Sequence, residues 1–107
     1  MFTRVLEVTT KSGKAAELTK IVENSVVPIL KAQSGFLDEI TMFSDMNPNL
    51  LLAISFWKTK DDAERYHMEQ YRLVTEALEP VLESAPVIHT FFVSNSTVHN
   101  IASTKAA

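Results

Sequence analysis

The sequence predicts an α+β domain with the ferredoxin-like order βαββαβ, a four-stranded antiparallel sheet with both helices on one face. Three observations predict it. Four short stretches rich in Val, Ile, Phe, Leu and Thr have strand character. Two longer stretches between them repeat their apolar residues every three to four positions. The two middle strands are separated by only five residues, Asp45 to Asn49, which forces them into a hairpin.

The first strand spans Met1 to Thr10, and Lys11-Ser12-Gly13-Lys14 breaks it. A helix follows from about Gly13 to Ala32, with Leu18, Val22, Val26, Ile29 and Leu30 on one face. Pro28 predicts a kink or an early end, since it has no N–H for the helical ladder. Gly35 is placed as the residue beyond the cap. Phe36 to Ser44 and Leu50 to Trp57 are the hairpin strands. In the second, Leu50, Leu52, Ile54 and Phe56 face one way and Leu51, Ala53, Ser55 and Trp57 the other. A second helix runs from Asp61 to about Glu83, its first turn favoured by Asp61 and Asp62. Ala63, His67, Tyr71, Val74, Leu78 and Val81 share one side of it, and Pro80 predicts another break. The last strand is Pro86 to Ser94.

With 107 residues the chain is one domain. Residues 1–94 form it, and 95–107 are a loose tail or an arm that packs on a partner, with Val98 and Ile101 as its sizeable apolar residues and His99 facing solvent. Hydrophobic residues at 46% support a packed core. Both faces of the Leu50–Trp57 strand are mostly apolar, while one protomer supplies helices to only one face. A second copy is the economical cover, so a homodimer is expected. A net charge of -3, with no two basic residues adjacent, argues against nucleic-acid binding. The absence of cysteine excludes disulfides and fits a reducing compartment. The stretch MFTRVLEV lacks a basic segment followed by an apolar run, and apolar runs of four or five residues fall far short of the roughly 20 that cross a bilayer. A cytoplasmic protein that neither enters nor crosses membranes is expected.

Candidate chemistry concentrates in FWKTKDDAERYHMEQYR, Phe56 to Arg72. His67 and Tyr71 are four apart and share a helix face. Trp57 ends the strand that feeds this helix, and Tyr66 lies beside that face. A pocket between helix and sheet lined by Trp57, His67 and Tyr71 follows, with His89 from the last strand as a second imidazole. Phe91 and Phe92 point to opposite faces, so at most one lines a pocket. Each residue also has a structural reading, as a core aromatic or as a histidine bonded to backbone. No metal-ligand spacing joins the histidines, and no glycine-rich phosphate loop or nucleophile-elbow pattern is present.

The opening strand followed by KSGK, the helix ending VVPILKAQSGFL, the strand LLLAISFWKTKDDAERYH and the closing IHTFFV together resemble the antibiotic biosynthesis monooxygenase family of the dimeric α+β barrel superfamily. The resemblance covers residues 2 to about 94. It implies a cofactor-independent monooxygenase acting with O₂ on a phenolic or quinol-like aromatic. On this reading His67 or His89 is the base, Tyr71 or Tyr66 donates to a phenolate or peroxide oxygen, and Trp57, His89 and Phe92 contact the substrate. Heme-degrading relatives carry a first-strand Asn, a Trp in the second helix and a His about ten residues later. Here Leu6 and Glu7, Tyr66 and Glu76 stand nearest those places, so heme is a remote third reading and no cofactor is expected. The rival from another class is a non-catalytic small-molecule-binding or stress-response module of the same fold. A pocket of about 300 Å³ or more with a converging imidazole and hydroxyl favours the enzyme; a filled cavity with His67 satisfied by backbone favours the module.

Overall fold

The computed structural model of the chain describes residues 1–98. Its strands are β1 (Phe2–Thr9), β2 (Phe36–Phe43), β3 (Leu50–Trp57) and β4 (Val87–Phe92). They form one sheet in the order β2-β3-β1-β4, antiparallel at every pairing. This is the predicted topology, with strand boundaries within two residues of expectation. Ser44 N–H donates to the Leu50 carbonyl at 2.9 Å and closes the hairpin where Asn47-Pro48 predicts the turn.

Both helical stretches are less regular than their patterns suggest. The first contains α1 (Ala15–Ile21), a π-helical turn at Val22–Val26, and α2 (Val27–Lys31). Pro28 sits in the first turn of α2, where its missing N–H is tolerated. The irregularity lies just before Pro28 instead, over the carbonyls that its ring would crowd. The second stretch breaks at Gln70 (φ -127°, ψ -20°) into α3 (Lys60–Glu69) and α4 (Tyr71–Leu78). Neither glycine nor proline marks that break. Pro80 lies in a 3₁₀ turn, Glu79–Val81, that ends the stretch. At the start of α3 the Thr59 hydroxyl accepts from Asp62 N–H at 3.1 Å, a side-chain N-cap.

The helices cover one sheet face. Phe2, Leu6 and Val8 of β1 are buried there against Leu18, Val22, Val26 and Leu30, with Val74 and Leu78 of α4. Because strand side chains alternate, residues paired across the sheet form rows on that face. One row is wholly aromatic: Phe36, Trp57, Phe2 and Phe92. The next is wholly polar: Glu39, Ser55, Arg4 and Thr90. The third is Thr41, Ala53, Leu6 and Ile88. The opposite face carries Leu50, Leu52, Ile54 and Phe56, with Ile40, Met42, Val87 and Phe91 exposed around them. Among the described residues no helix is long and apolar enough to cross a membrane. Of the expected tail, Val98 is exposed; His99 and Ile101 lie outside the described residues.

Gly35 has φ +81°, as its place beyond the helix cap requires. A Cβ there would also overlap the Asp62 carboxyl. Gly13 has φ +74° but open space around it. Gly13→Ala should therefore cost only the left-handed strain, about 1 kcal/mol. Gly35→Ala should cost more, about 2–3 kcal/mol, because the α3 N-terminus must also shift. Urea denaturation of both variants checks this; equal losses would show that the Asp62 contact is unimportant.

Candidate functional site

The polar row places a cation inside the core. Arg4 occupies an inward position of β1 between Phe2 and Leu6 and is only 4% exposed. Its Cζ lies 5.4 Å from the Tyr66 ring centre and 5.0 Å from that of Tyr71. Both distances are within cation–π range. Nη1 stands 3.2 Å from His67 Nδ1. Nε and Nη2 are buried and find no hydrogen-bond partner among the described residues. Burial draws the guanidinium pKa down, while the electron-rich Tyr66 and Tyr71 hydroxyls partly offset that. Arginine nevertheless stays charged at any working pH. The site therefore holds a permanent positive charge that makes no salt bridge among the described residues, although Glu39 lines the same small cavity.

The aromatic residues arrange themselves around this charge. His67 and Tyr71 stack at 5.0 Å with planes 24° apart, as their i,i+4 spacing predicts. Tyr66 points inward, stacked on Trp57 at 5.0 Å and edge-on to Tyr71 at 6.4 Å. The expected face holds at Ala63, Val74, Leu78 and Val81, which are buried, and is corrected at His67 and Tyr66. Ala63 and Tyr66 are the buried residues of α3, and His67 sits on its exposed edge. The break at Gln70 rotates α4 relative to α3, so Tyr71 and His67 meet at the rim rather than in the core.

Trp57 has the core-aromatic placement. It is fully buried, and its Nε1–H donates to Ser55 Oγ at 2.9 Å. Phe36 meets it edge-on at 5.6 Å. It lines neither of the two spaces around Arg4 and acts as the brace behind Tyr66. His89 pairs with Val5 on the opposite sheet face, apart from the other candidates. Phe92 is on the helix-facing side, edge-on to Phe2 at 5.1 Å and 72% exposed on the outer strand.

Two spaces meet at Arg4. An open groove of about 470 Å³ runs between α3 and the β1–β4 edge, lined by Phe2, Arg4, Lys60, Ala63, Glu64, His67, Met68 and Thr90. Behind it, between helices and sheet, lies a small cavity of about 30 Å³. Arg4, Ser55 and Glu39 are on its floor and Val22, Val26, Leu30, Tyr66, Val74 and Leu78 around it. The groove brings an imidazole and the Thr90 hydroxyl together, and His67 bonds to a side chain rather than to backbone. Glu39 accepts from the Thr41 hydroxyl at 2.7 Å rather than from Arg4. Burial, opposed by that hydrogen bond, raises its carboxyl pKa.

Protonation follows from these contacts. Arginine only donates, so His67 Nδ1 must accept and the neutral ring carries its proton on Nε2. Desolvation and then Arg4 lower the His67 pKa. Desolvation raises Tyr66 to about 12 and also raises Tyr71, so both phenols remain hydrogen-bond donors at neutral pH. Among the described residues no three His, Asp or Glu side chains cluster as metal ligands.

Arg4 and Glu39 were missed from the sequence, although Arg4 carries a signal. In FTRVLEV the inward period is Phe2, Arg4, Leu6, and a charge on the apolar period of a strand marks a buried ionisable group. Glu39 has no comparable mark, because the bulge between Phe36 and Asp38 shifts its face.

The family described as antibiotic biosynthesis monooxygenase matches residues 1–73. The chain belongs to that family. Among solved structures, SnoaB, a cofactor-independent oxygenase from Streptomyces nogalater, is similar at 20% identity and a TM-score of 0.74, covering 90% of this chain and 95% of that one. A Nitrosomonas europaea protein of unknown function gives 16% identity and 0.74, covering 90% and 91%. A conserved protein from Methanosarcina mazei Go1 gives 16% and 0.70, covering 84% and 89%. No curated protein matches the chain. At these identities the structural neighbours establish the shared fold, and the family assignment rests on the sequence match.

An unpaired buried cation costs desolvation energy that an apolar side chain would not. Arg4→Met should therefore hold or raise the unfolding free energy, by on the order of 1 kcal/mol. It should also move the His67 pKa back toward its ordinary value, followed by NMR titration. Since His67's folded pKa lies below its unfolded value of about 6.5, its contribution to stability is whole above that pH. It is lost as pH falls through the folded value. A large loss of stability in Arg4→Met would mean that Arg4 is a structural strut.

Proposed function

We propose that the chain is a cofactor-independent monooxygenase that oxidises a phenolic or quinol-like aromatic with O₂. The observation that carries this reading is Arg4, a buried guanidinium with two unpartnered nitrogens, on the floor of a groove that also holds an imidazole. Family membership and the likeness to SnoaB support the reaction class.

The groove volume suits an aromatic ring. A substrate hydroxyl entering between Arg4 and His67 accepts from Nη1 and donates to Nδ1, replacing the 3.2 Å contact between them. The lowered pKa keeps His67 neutral and able to take the proton. The O–H pair of electrons stays on the oxygen, and Arg4 holds the phenolate. Tyr71 keeps the imidazole plane by stacking. The electron-rich ring passes one electron to O₂, leaving a phenoxyl radical and superoxide. These join at a ring carbon, and loss of water leaves a carbonyl. A phenol plus O₂ becomes a quinone plus H₂O, with no outside reductant. The same proposal includes a homodimer in which a second copy covers the face of Leu52, Ile54 and Phe91; a sedimentation mass of one chain would remove it.

Oxygen uptake by the purified protein, without added metal or flavin, tests the reaction against a panel of hydroquinones and polyphenols. Uptake should exceed the autoxidation blank. Arg4→Met and His67→Ala should each lower kcat/KM at least tenfold, about 1.4 kcal/mol. Undiminished uptake in Arg4→Met sinks the site. No uptake with any substrate from folded protein favours the non-catalytic binding module.

A further inference from the structure

We infer that the small cavity behind Arg4 is the binding place of dioxygen, separate from the groove that takes the ring. This rests on the oxygenase reading above and adds a ligand site to it. The size argues first. About 30 Å³ exceeds what one water-sized particle needs and falls far short of an aromatic ring. The ring and the gas therefore sort by volume into two spaces.

The wall argues next. Val22 and Val26 from the π-helical turn, with Val74 and Leu78 from α4, present hydrocarbon to the cavity. Above its floor of Arg4, Ser55 and Glu39 the cavity is hydrocarbon, and apolar spaces of this size accept neutral, weakly hydrated guests such as xenon. π-Helical turns recur at functional sites, and here the turn supplies two of these four residues.

Arg4 argues last, because among the described residues it alone lines both spaces. Neutral O₂ gains nothing from a cation. Once one electron passes from the phenolate in the groove, the ring is a phenoxyl radical and the gas is superoxide. That anion forms beside Arg4, whose guanidinium lines the cavity and carries its positive charge there. The charge is thus complementary to the reduced species and indifferent to the bound gas, the arrangement that lowers a barrier rather than tightening the ground state.

Crystals of the full chain pressurised with xenon test the site without turnover. Xenon should occupy the cavity between Val22, Val74 and Ala53. Ala53→Val, which adds two methyl groups from the sheet side, should abolish that occupancy. It should also raise the KM for O₂ at least fivefold while the quinol KM holds within twofold. An empty cavity under xenon, or an ordered water bound to Arg4 Nε or Nη2 in its place, overturns the inference while leaving the oxygenase reading intact if uptake is seen. An unchanged KM for O₂ in folded Ala53→Val overturns it as well. Xenon bound with no uptake for any quinol removes the assignment to dioxygen together with that reading.

Discussion

Everything distinctive about this domain depends on a positive charge held in its core without an ion-pair partner among the described residues. Arg4 sits on the central strand pair, where ordinary packing places Leu or Val. The sheet cannot neutralise it: Glu39, the acid of its row, is two strands away with Ser55 between them. Tyr66 and Tyr71 offer their ring faces and His67 offers one lone pair. These soften the desolvation cost and leave two donors unspent. A fully satisfied arginine would be inert. One held by soft contacts is available to an anion that forms nearby.

The irregular helices are what make space around it. A continuous first helix would close over the sheet, whereas the π turn before Pro28 sets Val22 and Val26 at the cavity. A continuous second helix would carry His67 and Tyr71 to one buried face. The Gln70 break instead leaves Tyr66 inside and the His67–Tyr71 stack at the rim. Trp57, hydrogen-bonded to Ser55 and wedged by Phe36, fixes Tyr66 from behind. Trp57, one of the candidate pocket residues, therefore serves the site by packing.

Local signals carried the fold. The apolar run Leu50–Trp57, the five-residue hairpin loop and Gly35 beyond its helix cap each act over a few residues, and each reads correctly from the chain. The His67–Tyr71 stack is equally local. The polar row is not, because it exists only once strand order and register bring residues 4, 39, 55 and 90 together. Two of those registers involve β1, fifty or more positions from its partners in the chain. The face of His89 was likewise undecided until Val5 fixed it. Pro28 announced a disturbance, but the helix absorbed it one turn earlier. Gln70 gave no warning, since tertiary packing rather than propensity breaks the helix there.

The groove has an uneven mutational cost. Its rim residues Lys60, Glu64, Met68 and Thr90 are all exposed. Changes at such positions usually alter stability by no more than about 0.5 kcal/mol. Its floor, Arg4 between Phe2 and Leu6, is continuous with the core. Selection or a library can therefore reshape which ring docks while the anion anchor stays constant. Substrate range and folding become separately adjustable traits of one small domain.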